Sequence, residues 1–208
     1  RDGGATGLHL YPRKVWRWPY GCDRTGRPEL QWRRDWMWFE TWGRYAWNPE
    51  RVPVAEREHW TARLAEQYGP AAASHLLAAL EDSADVLPGI QRLVWLGNDN
   101  HTVVSAGIKI EQLQKARGIP FLTVPGMPRI PQFIEAAKAG KKLPGQTPVE
   151  FLSARATAAE KAWRDAGLGT RAAAGSQADA EQIASDMGAL IWVARFYRDK
   201  LAAAVATA

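Results

Sequence analysis

Residues 5–11 read ATGLHLY, an apolar run that follows the pair Gly3-Gly4 and stops at Pro12. That pattern is a short strand of buried character. Beyond its first thirty residues the chain looks almost wholly helical. One strand joined only to helices leaves backbone donors and acceptors without partners, so the strand is expected to close a sheet whose other strands lie upstream of Arg1. A (β/α) barrel is the most economical such sheet, and its sites sit on the loops after the strands. The expected fold class is therefore mainly α. Residues 1–29 are the end of a truncated (β/α) barrel with an aromatic loop, and residues 30–208 are a helical C-terminal domain. Because the chain opens on Arg1 and stops inside a helical pattern, both ends are read as cut.

Working outward, residues 14–28 form a loop punctuated by Pro19, Gly21, Gly26 and Pro28. Residues 30–47 then carry aromatics at helical spacing. Trp32, Trp36 and Phe39 share one side, Trp38, Trp42 and Tyr45 lie adjacent, and Arg33, Met37, Glu40 and Arg44 make a narrower polar strip. Asn48-Pro49 ends this helix, since the residue before a proline avoids helical geometry. Further helices are expected over 55–68, 70–80, 86–96 and 108–116, then an ordered irregular loop over 118–131. Thr147-Pro148-Val149-Glu150 is a helix start with a capping box, and that helix runs to about Ala166. A small-residue linker, 167–175, precedes a long amphipathic helix from Ser176 to about Val205.

Seven of the eleven tryptophans fall between Trp16 and Trp47. Indoles beside this many guanidiniums suit a ligand that is flat and either hydroxylated or anionic, which leaves sugars and nucleic acids as candidates. The net charge of +5 includes no long basic run. Residues 1–51 carry ten Lys/Arg against six Asp/Glu, a mild excess that weighs against a nucleic-acid arm. The apolar run 187–194 is too short to cross a bilayer, so no membrane is expected. Cys22, the sole cysteine, has no internal partner. No phosphate loop, catalytic triad or metal motif stands out, and neither a metal nor a cofactor is expected.

The piece WGRYAWNP, Trp42 to Pro49, resembles a signature in the helical region behind the catalytic barrel of bacterial α-glucuronidases and related carbohydrate-active enzymes. The preceding GLHLYPRKVWRWPYG is similar to the end of such a barrel and its loop. The resemblance is clear over the first 60 residues or so. It implies a glycoside hydrolase acting on a polysaccharide that bears uronic acid. It also implies catalytic carboxylates on earlier strands, so this portion alone would be inactive. Asp35 and Glu40 do not fill that role. They project about 140° apart on a helix, whereas glycosidases bring two carboxyls to within about 5–9.5 Å.

Substrate-binding candidates are Trp16, Trp18 and Tyr20 in the loop, His9 on the strand and Arg44 on the aromatic helix. Each has a plainer reading beside the functional one. Trp16 and Trp18 either stack on sugar rings or pack on the helical domain. His9 either touches a ligand or is a hydrogen-bonded core histidine. Arg44 either pairs with Glu40 one turn before it or grips a uronate carboxylate bidentately. The helices buttress the site or pair two copies as a homodimer. The rival function is a non-catalytic helical protein that stacks single-stranded nucleic acid on its Trp/Arg-rich segment.

Overall fold

The computed structural model describes residues 35–94, 108–116, 126–167 and 177–208, and every regular element among them is a helix. The expected strand 5–11, the loop 14–28 and the boundary at 29/30 lie outside the described residues. The fold is mainly α, with α1 (Trp36–Trp47), α2 (Pro53–Tyr68), α3 (Pro70–Ala84), α4 (Val86–Val94), α5 (Ile110–Gln114), α6 (Ile130–Lys138), α7 (Pro148–Ala166) and α8 (Gln177–Ala206). The chain divides into two compact units, residues 1–58 and 59–208.

In the second unit the core forms around α8. Its buried residues Met187, Ile191, Ala194, Tyr197, Leu201 and Ala204 recur three or four positions apart, which sets them on one stripe. That stripe meets α3, α4, α5, α6 and α7. Ile90 and Leu93 of α4, Leu113 of α5, Ile130 and Ile134 of α6, and Phe151 and Leu152 of α7 fill one cluster with Tyr197 and Leu201. A second cluster joins α3, α7 and α8 through Ala79, Ala159, Met187 and Ile191. Its small residues let the helices approach closely. Gly89 serves the same end, because a Cβ there would lie 2.5 Å from the Phe151 ring.

The helix ends have local causes. Thr147 Oγ1 accepts from Glu150 N–H at 3.2 Å, and Glu150 Oε2 accepts from Thr147 N–H at 2.8 Å. This is the expected capping box, and Gly167 (φ 64°) closes the same helix in left-handed geometry. α6 ends in a Schellman motif. Gly140 N–H donates to the Ala137 carbonyl and Lys141 N–H to that of Ala136.

Several boundaries differ from the sequence reading. α3 continues to Ala84 rather than Leu80, since residues 81–84 include no helix breaker. α2 starts at Pro53, where a missing N–H costs nothing in the first turn. α6 begins at Ile130, within the end of the stretch read as a loop. There Pro131 occupies the first turn, and Gln132 Oε1 accepts the Arg129 N–H at 3.1 Å.

Candidate functional site

α1 turns most of its aromatic residues outward, Trp36 alone among them being half-buried. None of its residues is buried. Trp38, Trp42 and Tyr45, at i, i+4 and i+7, share a face and are 49%, 39% and 44% exposed. Phe39 flanks them. The rings of Trp38 and Phe39 meet edge to face at 5.0 Å between centroids, and those of Trp38 and Trp42 at 5.9 Å. The half-buried side of the helix carries Met37, Glu40, Thr41 and Arg44 together with Trp36. An ordinary amphipathic helix has the opposite arrangement. Outward indoles set edge to face form a stiff apolar surface that costs little side-chain entropy when a ligand covers it.

The end of α1 is held by charge. Arg44 grips Glu56 of α2 through both Nε (3.2 Å to Oε2) and Nη2 (2.7 Å to Oε1). Arg51 Nη1 donates to the same Oε1 at 3.0 Å, and its Nε and Nη2 donate to the Arg44 carbonyl at 3.2 and 3.1 Å. In the connection, Asn48 Oδ1 accepts the Glu50 N–H at 3.0 Å and closes an Asx turn. Two guanidiniums thus share a carboxylate that is almost fully buried. The hydrogen bond from Arg44 is the main cause that holds the Glu56 carboxyl below its ordinary range, with Arg51 adding to it against the opposing effect of burial. The same bond raises Arg44.

A depressed folded-state pKa contributes stability above the unfolded carboxylate value of about 4.3, and that stability is lost as pH falls through the folded value. Glu56→Gln is therefore expected to weaken α1 docking at pH 7 by roughly 1–2 kcal/mol. This is the low end for bonds to charged groups, because both guanidiniums remain about one-fifth open to water. Tryptophan fluorescence melts of the variant and the parent should differ at neutral pH and converge only once the pH has fallen through the depressed folded-state value of Glu56; a gap of constant size across the whole acid range would contradict this.

Arg44 is thus the sequence-derived candidate that the structure describes. Its guanidinium is bound bidentately by Glu56 across the turn, and Glu40 adds a charge attraction along the helix. His9, Trp16, Trp18 and Tyr20 lie outside the described residues. The sequence reading did not single out Trp38, Phe39, Trp42 and Tyr45 as site residues. Their spacing was visible in the sequence, but the direction of the face was not. Among the described residues no group of three or more His, Cys, Asp or Glu could hold a metal ion, and no helix is long and apolar enough to cross a membrane.

No protein-family model and no curated protein matches the chain. A solved structure is similar to it: a GH138 enzyme targeting pectin rhamnogalacturonan II, at 22% sequence identity and a TM-score of 0.71 over 91% of this chain. The chain spans 24% of the length of that enzyme. At this identity the likeness is one of fold.

Proposed function

We propose that this chain serves a carbohydrate-active enzyme that hydrolyses glycosidic bonds in a uronic-acid-bearing polysaccharide of the pectic type. In this reading the chain supplies a helical support and part of the substrate-binding surface. The outward aromatic face of α1 carries the proposal. A fold alone does not assign a function, but exposed indoles on a glycoside hydrolase-like scaffold supply the surface that the C–H face of a sugar ring requires. The WGRYAWNP resemblance favours an α-linked uronide as the residue released, and the name of the GH138 neighbour favours pectin as the polymer. Trp16, Trp18, Tyr20 and His9 would extend the surface from the preceding segment. Arg44 acts chiefly by holding α1 in place.

Charge supports a glycan over nucleic acid. Residues 35–58 hold five carboxylates and three arginines, which does not suit a phosphate backbone. The test is the double variant Trp38→Ala/Trp42→Ala in affinity electrophoresis through pectic polysaccharide. The variant is expected to lose about tenfold in affinity with its helical circular dichroism unchanged. Undiminished retardation would overturn the role given to α1.

A further inference from the structure

The connection between α1 and α2 carries a side chain that meets both the backbone of α1 and the carboxylate that grips it. Arg51 Nε and Nη2 donate to the Arg44 carbonyl, and Arg51 Nη1 donates to Glu56 Oε1. Glu56 in turn accepts both bonds from the Arg44 guanidinium. Arg44 is therefore held twice, at its carbonyl by Arg51 and at its side chain by a carboxylate that Arg51 also holds. The clamp is not an ordinary helix cap. The carbonyls that a helix end leaves unsatisfied are those with no donor four residues on, and the Arg44 carbonyl already accepts the Asn48 N–H at 3.0 Å. Arg51 doubles a bond that α1 has made for itself, and what it adds is a fixed link from α1 to α2.

The place of that link matters. Trp42 and Tyr45 bracket Arg44 in the last two turns of α1, and both rings are exposed. Trp38 lies six residues upstream, about 9 Å along the helix axis. A planar guanidinium reaches acceptors on two elements in one rigid geometry, which an ammonium on a flexible stem does not. We infer that Arg51 is a positioning residue of the proposed saccharide surface. It fixes the last turns of α1 so that the rings of Trp42 and Tyr45 are already in place when a sugar arrives, which spares the cost of ordering them on binding. The inference rests on the proposed role of the α1 face.

The test reads affinity for polygalacturonate by affinity electrophoresis of the full chain. Arg51→Lys, which keeps the charge and loses the fork, is expected to lower affinity about fivefold, the worth of roughly one hydrogen bond. In a Trp38→Ala chain the same substitution should again cost about fivefold, whereas in a Trp42→Ala chain its effect should shrink to about twofold or less, because the indole it places is gone. A merely structural role predicts the same loss in every background, and that result would overturn the inference. Parent-like binding by Arg51→Lys, while Trp38→Ala/Trp42→Ala still loses affinity, would overturn it as well and leave the proposed function standing. No binding of polygalacturonate by the parent would overturn both.

Discussion

Gly145→Ala is expected to lower the melting temperature by about 8–16 °C. Gly145 has φ +84°, and a Cβ built on it would lie 1.9 Å from the Gly126 carbonyl oxygen and 2.9 Å from the carbonyl carbon. Backbone, not a flexible side-chain tip, fills that space. Left-handed geometry in a residue with a side chain costs about 1–3 kcal/mol, and overpacking costs about the same again. A combined loss near 4 kcal/mol gives the stated shift for a unit of this size. The contact joins the turns that lead into α6 and α7, so both helix starts would have to move. Gly140→Ala provides the control. Its φ is +62°, with nothing within 4 Å of the added carbon, and its cost should be about 1–2 kcal/mol. Calorimetry of the two variants separates steric from conformational cost; equal melting temperatures would refute the close backbone approach.

Leu201→Ala should destabilise the second unit by about 2–5 kcal/mol. Leu201 is 1% exposed and lies in the cluster that α4, α5, α6 and α7 build against α8. Its removal opens a cavity where several helices meet, so no single neighbour can collapse into it. Trp192→Ala, nine positions earlier on the same helix, removes a larger side chain from the solvent face. It should change stability by about 0.5 kcal/mol or less. Urea titration of both variants checks the assignment of faces. If Trp192→Ala proved the costlier change, the orientation of α8 would be wrong.

These contrasts mark how far the sequence can be read. The start of α7 was legible because its cause is local: Thr147 and Glu150 are three residues apart and cap each other whatever surrounds them. The long final helix was legible for a similar reason, since Met187, Ile191, Ala194, Leu201 and Ala204 repeat at helical spacing. The main partner of Arg44 was not. Glu40 is the neighbour that helical periodicity offers, whereas Glu56 comes into reach only once the turn through Asn48 brings α2 back past α1.

The direction of α1 was equally hidden. Spacing groups Trp38, Trp42 and Tyr45 on one side, but apolar stripes ordinarily face a core. That this one faces water follows from tertiary structure. The face of α8 posed the same difficulty, because Trp192 sits in an apolar run with Ile191 and Val193 and nothing local separates core from surface there. The start of α6 was obscured by Pro131, which reads as a breaker in a Pro/Gly-rich context yet occupies a first turn that tolerates it.

The central claim is that this helical chain presents its outward aromatics to a saccharide. Titration calorimetry of the full chain against polygalacturonate and a single-stranded oligonucleotide, each at about 50 and 200 mM salt, tests it most directly. Binding to the polysaccharide that weakens by less than about tenfold with salt, and no binding to the oligonucleotide, is the predicted result. Oligonucleotide binding that falls by about 10³ or more over that range, as neutralisation of several phosphates requires, with no response to the polysaccharide, would contradict it.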